Sequence, residues 1–486
     1  MARAGRRAAR AAALAALLCG AAATARAPRA RARMLSTGTS AGPWLAGGAG
    51  WETSRAPGER APREFRLERF FARYEFSARH LLCCSDVEPL RLAELLALAE
   101  ASATTGDALE LWHDLSLGYT ETKGHPALLA EIAEHYATGT SAEHVLECAP
   151  QEGIALALAA LVRPGDAIVT VSPAYQSLAE LALTAGAACY AWRARGGGAD
   201  GPMHFHVDDL RAAVQRATAE KGRAPMLIVT NFPHNPTGAM LSAREWAEVV
   251  TLARESGSWL LSDEMYRGLE RGAGETVETV ETVETVETVE TVETVETVGA
   301  DAAGGAGGAA DARLPAAVDV YERGISLSGL SKVYGLPGLR IGWLASRDAP
   351  FLRRVAALRD YTTICSSAPS QILALVAMRN RHALRTRARR LVDAGETAAA
   401  AFFEKRADLF VYQPPAAGPI AFPALRAAGA RAADAEKFCE ALVREHGILL
   451  LPAIVYGDGF DGAHFRVGLG RRDCAAVFEL WDRALG

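Results

Sequence analysis

Three short polar stretches carry residue types that could do chemistry. Asn231-Phe232-Pro233-His234-Asn235-Pro236-Thr237-Gly238 follows an apolar run. Its two prolines and its glycine impose a rigid loop with no helical continuation, which holds Asn235 at a strand end with donor and acceptor free. Ser262-Asp263-Glu264-Met265-Tyr266 closes the next apolar run and brings a carboxylate and a phenol to the same edge. A third run leads into Ser328-Gly329-Leu330-Ser331-Lys332 and on to Arg340. Of the 52 basic residues only five are lysines (Lys123, Lys221, Lys332, Lys405, Lys437). An amine can form an imine with a carbonyl and a guanidinium cannot, so a lysine kept among small and apolar residues in an arginine-rich chain points to imine chemistry. Asp263 alone would be a helix cap or surface acid, and Arg340 alone one of many arginines.

The elements that must position these residues are legible as alternating apolar strands and helices. A helical stretch over 153–161 precedes a Pro164-Gly165-Asp166 turn and a strand over 167–171. Strands follow at 226–230, 259–262 and 325–328, with a helix at 243–255. Short apolar strands alternating with helices imply a mainly parallel sheet covered on both faces, with ligands beyond the strands' carboxyl ends. After Arg340, helices at 350–358, 370–389 and 432–445 and short strands near 420–422, 448–451 and 465–467 suggest a second, smaller α+β domain. The expected organisation is a leader at 1–51, a segment at 62–105 joining the small domain, a large domain at 106–345 and a small domain at 346–486.

Two stretches stand apart. Met1 to Trp51 holds eight arginines and no acid, with an apolar run from Ala11 to Ala25. It reads as a targeting presequence, for a plastid or mitochondrion by its Arg, Ser and Thr content, with a secretory route or a cytoplasmic, disordered leader as alternatives. Glu275 to Val298 is eight tandem Glu-Thr-Val copies inside a biased block at 271–314, expected as a solvated surface loop. The leader's charge and the repeat's charge cancel, which leaves the net −5 to the body. A mildly acidic body argues against a nucleic-acid groove. The scattered cysteines and histidines lack the spacing of a metal site or disulfide framework, and no apolar run reaches membrane-spanning length.

Taken together, NFPHNPTG at 231–238, DEMY at 263–266, SKVYGLPGLRIGW at 331–343 and FRVGLGR at 465–471 resemble the pyridoxal phosphate enzymes of aminotransferase class I/II, fold type I. The resemblance runs from about Phe65 to the C-terminus, and the wording of YTTICSSAPS is similar to a branch related to capreomycidine synthase. It implies an α/β fold with a mainly parallel seven-stranded sheet. It also implies that Lys332 forms the internal aldimine and shuttles the proton between Cα and C4′. Asp263 would keep the pyridine nitrogen protonated, Tyr266 and Asn235 would hydrogen-bond the ring O3′, and Arg340 would clamp the phosphate. Tyr175 would stack on the ring, and Gln151 and Glu152 would offer backbone N–H groups to the phosphate. Tyr119 would reach the phosphate of the partner subunit's cofactor, in a homodimer with composite sites. Arg466, with Asn235, would bind the substrate α-carboxylate.

The chain departs from the family's usual wording at Gly329 and at Ala149-Pro150. Pro150 has no N–H, so the phosphate cup is expected to lean on Ser331, Arg340 and Tyr119. The expected activity is transamination between an amino acid and a 2-oxo acid, the alternative a lyase or cyclase acting by β-elimination or replacement. A cofactor-binding regulator that kept the fold is a third reading. No helix-turn-helix segment accompanies the body, and every catalytic position is filled.

Overall fold

The apolar runs pair into one seven-stranded sheet, in the spatial order Val145–Cys148, Gly342–Ala345, Gly324–Gly329, Trp259–Asp263, Leu227–Asn231, Ala167–Ser172 and Ala188–Arg193. Six strands run the same way, and Gly342–Ala345 is antiparallel to both neighbours. Nearly every residue of these strands is buried, as continuous apolar runs require when helices cover both faces. The computed structural model of the protein describes residues 61–137, 139–197, 201–271, 313–426, 434–457 and 462–486. The leader, read as a targeting segment, and the Glu-Thr-Val block, read as a solvated loop, lie outside the described residues. Among the described residues, no helix is long and apolar enough to cross a membrane.

Local chemistry sets the helix ends. Ser242 caps Ala243–Ser256: its Oγ accepts from the Glu245 N–H at 3.2 Å, and the Glu245 carboxylate accepts from the Ser242 N–H at 2.8 Å. Gly257, at φ 68°, ends the same helix in the left-handed conformation that glycine adopts without strain. Pro150 sits at the first turn of Pro150–Leu161, so that helix begins earlier than its apolar periodicity indicates. Gly153 lets it press onto the sheet, since a Cβ there would lie 2.9 Å from Cys148 Sγ.

The smaller α+β domain holds a three-stranded antiparallel sheet of Ile420–Ala421, Phe465–Gly468 and Leu451–Pro452. Its core is aromatic, with Trp481 stacked on Phe478 and tilted against Phe402. The N-terminal strand His80–Leu81 pairs in parallel with Ile448–Leu449.

Two expected elements are divided. The helix read as 370–389 is two helices, Ala368–Arg379 and Arg381–Lys405, broken at Asn380. There the side-chain amide donates to Val376 O at 2.8 Å and Thr105 Oγ1 at 3.0 Å, a tertiary tie that periodicity does not reveal. The strand read as 448–451 is two bridges to different partners, one to the N-terminal strand and one to Phe465–Gly468.

Candidate active site

The carboxyl ends of three neighbouring strands bring the polar motifs together. Leu227–Asn231 delivers the loop carrying Asn235, Trp259–Asp263 ends on Asp263 with Tyr266 just beyond, and Gly324–Gly329 leads to Ser331 and Lys332. Asn231 laces the first two: its Oδ1 accepts from the Asn235 N–H at 3.0 Å, and its Nδ2 donates to Asp263 O at 3.1 Å. The small domain adds Arg466, from the strand Phe465–Gly468. That strand lies hard against the Cys83–Ser85 segment, since a Cβ on Gly468 would lie 2.2 Å from Cys84 O.

These groups surround a cavity of about 990 Å³ between the sheet's edge and the small domain. Lys332, Asp263, Tyr266, Asn235 and Arg466 line it, joined by Ser331, Tyr175, Gln151 and Arg340. Lys332 Nζ donates to Ser85 Oγ at 2.9 Å. Burial lowers its pKa from the ordinary amine value; Asp86 opposes the shift and Arg466 adds to it. Asp263 accepts from the Met265 N–H at 3.2 Å, and burial pushes its carboxyl up to about 7 against the pull of that N–H and Lys332. Burial pushes the Tyr266 phenol up to about 12, with Arg466 and a hydrogen bond to Ser85 acting the other way.

The remaining expected residues are placed less uniformly. Tyr175 donates to Glu68 at 3.3 Å, with its ring 5.0 Å from that of Phe65. Arg340 sits exposed at the cavity rim at φ 59° and donates to Pro337 O at 3.1 Å. The Gln151 side chain accepts from Ser177 at 3.3 Å. Glu152 does not line the cavity, because its carboxylate is taken by Thr362, Thr363 and, at 3.9 Å, Arg359. Tyr119 lies outside it and is 91% exposed. His113 is also exposed and apart, whereas Cys84, Ser85, Asp86 and Glu88 form part of the wall.

Sequence reading missed the contact of Ser85 with Lys332 and missed Tyr456. Ser85 lies in a loop with no periodic or motif signal. Tyr456 ends the 3-10 turn Ala453–Tyr456, where its hydroxyl accepts from Arg466 Nη1 at 2.6 Å and donates to Asn235 Oδ1 at 2.9 Å. Asn235 Oδ1 also accepts from Arg466 Nη1 at 3.1 Å, so its acceptor, expected to be free, is used inside the protein.

Residues 110–472 match the family model described as aminotransferase class I and II, and the chain belongs to that family. Capreomycidine synthase of Streptomyces vinaceus is 30% identical over 425 residues, 85% of this chain and 92% of that one. An aspartate/prephenate aminotransferase of Cereibacter sphaeroides is 25% identical over 372 residues, 73% of this chain and 80% of its own. Among solved structures, a PLP-dependent aminotransferase from Streptococcus suis superposes with a TM-score of 0.70 at 25% identity, covering 87% of this chain and 97% of that one. The fold is fold type I, and the cofactor of the family is pyridoxal 5′-phosphate.

The cavity suits that cofactor. Ser331 Oγ is buried without a hydrogen-bond partner among the described residues. Beside it the helix Pro150–Leu161 starts with no side-chain cap and no N–H at Pro150, and the first-turn N–H groups of Gln151 and Glu152 have no intrahelical acceptor. Unmatched donors at a helix N-terminus fit a phosphate. A buried carboxyl and a half-buried amine nearby fit a ring nitrogen and a carbonyl carbon.

Proposed function

We propose that this protein transfers an amino group from an amino acid to a 2-oxo acid, in a ping-pong cycle with pyridoxal 5′-phosphate held at Lys332. The observation that carries the reading is the half-buried Lys332 amine facing one cavity with Asp263, Tyr266, Asn235 and Arg466. When bound, the cofactor supplies a carbonyl carbon for amines and a ring that accepts the electron pair left at an amino acid's Cα.

The chain's own residues do the rest. The lowered Lys332 pKa favours the neutral amine, which can attack a carbonyl and, once released, take the proton from Cα. Asp263, walled off from water, would hold the ring nitrogen's proton. The Tyr266 hydroxyl and the Asn235 amide would donate to the ring oxygen. Ser331, Arg340 and the helix start at Gln151 and Glu152 would hold the phosphate, with Tyr175 against the ring. Arg466 would take the substrate α-carboxylate, a task suited to its planar donors.

We place the large domain at 106–345 and the small domain at 346–486, with 62–105 joining the latter. The acting unit is read as a homodimer. Leu117, Tyr119, Tyr361 and Ile364 are exposed apolar or aromatic side chains on two neighbouring segments. Those segments are tied where Thr120 Oγ1 accepts from Gln371 at 2.7 Å and donates to Ser366 O at 3.4 Å. Tyr119 would there complete the phosphate site of a second copy.

Similarity to capreomycidine synthase over 85% of the chain favours a second reading, a lyase or cyclase acting by β-elimination or replacement. An amino-donor screen on leader-free protein separates the two. Transamination predicts that an amino acid converts the bound cofactor to its pyridoxamine form, which a 2-oxo acid reverses. Free 2-oxo acid or a cyclised product without that conversion would sink the transaminase reading.

A further inference from the structure

Arg466 is wholly buried, and two of its three nitrogens are already committed. Nε donates to Cys83 O at 3.0 Å, and Nη1 donates to Tyr456 at 2.6 Å and to Asn235 Oδ1 at 3.1 Å. Among the described residues Nη2 makes no hydrogen bond, and Arg466 is part of the cavity wall. The direction of each bond follows from the guanidinium having no acceptor. The Asn235 amide must therefore turn its oxygen to Arg466, and the Tyr456 hydroxyl must spend its single proton on that same oxygen. Both lone pairs of Oδ1 are then filled, and the Asn235 NH₂ is left for the cavity. Burial raises the Tyr456 phenol pKa above its ordinary value, so the proton this arrangement needs stays on.

We infer that Tyr456 is a positioning residue for substrate recognition: wedged between Arg466 and Asn235, it aims the open Nη2 edge of Arg466 at the substrate carboxylate and the Asn235 amide at the cofactor. This rests on the assignment of Arg466 and Lys332 made above. Tyr456 itself is not part of the cavity wall. Its ring is held by the 3-10 turn Ala453–Tyr456 and by Phe422, whose ring stands perpendicular to it at 6.2 Å. Without the hydroxyl, Arg466 Nη1 loses one of its two acceptors and Asn235 loses one of its two donors. The guanidinium is then free to pivot about its bond to Cys83 O.

Two small carbonyl reagents test this without knowledge of the substrate side chain. Aminooxyacetate and O-methylhydroxylamine both react at the cofactor's carbonyl carbon and bleach its visible absorbance, but only the first carries a carboxylate. The holoenzyme is expected to prefer aminooxyacetate, in bleaching rate per concentration, by about tenfold or more, the scale of a hydrogen bond to a charged group. Tyr456→Phe is expected to remove most of that preference, slowing aminooxyacetate far more than O-methylhydroxylamine. Arg466→Ala is expected to abolish the preference, and adding Tyr456→Phe to it should cost nothing further, because the two act as one unit. A Tyr456→Phe enzyme that keeps the full preference, or that reacts more slowly with both reagents alike, overturns the inference. A wild-type holoenzyme that neither reagent bleaches overturns the Lys332 assignment first, and this inference with it.

Discussion

Asp263 ends one strand, and Lys332 lies three residues beyond the end of its parallel neighbour Gly324–Gly329. Burial pushes the Asp263 carboxyl up to about 7, and a cationic ring nitrogen beside it would return it to the charged form. Asp263→Ala therefore weakens cofactor retention and lowers turnover about a hundredfold or more, the scale of a lost proton-holding group. Steady-state kinetics at saturating cofactor measure it, and an unchanged rate would remove the electron-sink role. Both residues were legible in the sequence because each follows an apolar run within a short motif. Ser85 and Tyr456 were not. Ser85 meets Lys332 across 247 positions, and Tyr456 meets Asn235 across 221. No local spacing encodes a contact made only when the small domain closes on the sheet. Arg466 was recognised by family motif, yet its anchoring by the Cys83 carbonyl depends on that same closure.

The strand Val145–Cys148 and the helix it feeds, Pro150–Leu161, are joined from behind by Arg359, at the end of Ala349–Arg359. Arg359 donates to Thr122 O at 2.7 Å and to Glu147 O, and it pairs with the buried Glu147 carboxylate at 3.5 Å. Ser366 donates to that carboxylate at 2.9 Å, while Glu147 Oε2 has no hydrogen bond. Burial pushes Glu147 up to about 7, against Arg359 and Ser366 and with help from Glu152. A carboxyl raised in the folded state contributes stability fully present below its ordinary value near 4.5, and that stability is lost as pH rises through about 7. The melting midpoint of Glu147→Gln should thus fall less than that of the wild type between about pH 5 and about pH 8, by on the order of a few degrees. Parallel curves for the two proteins would contradict it. Elements of this kind were partly legible. The strands announced themselves as buried apolar runs, but the break at Asn380 and the partner change at Leu450 arise from tertiary ties that leave apolar periodicity undisturbed.

For the whole molecule, the exposed Leu117, Tyr119, Tyr361 and Ile364 lie on segments tied to the helix start proposed to hold the phosphate, through the Thr362 and Thr363 contacts to Glu152. Association through that face would couple assembly to cofactor retention. Light scattering is expected to give twice the 51.4 kDa chain mass for the full-length wild type and a shift toward one chain mass for Ile364→Asp, with weaker cofactor binding. A monomeric wild type at micromolar concentration would remove the composite site. The central claim, that one lysine of five holds the cofactor, has a more direct test. Borohydride reduction of the holoenzyme followed by peptide mapping should place the phosphopyridoxyl group on Lys332 alone. Label on Lys123, Lys221, Lys405 or Lys437 in its place, or on no lysine, would contradict it.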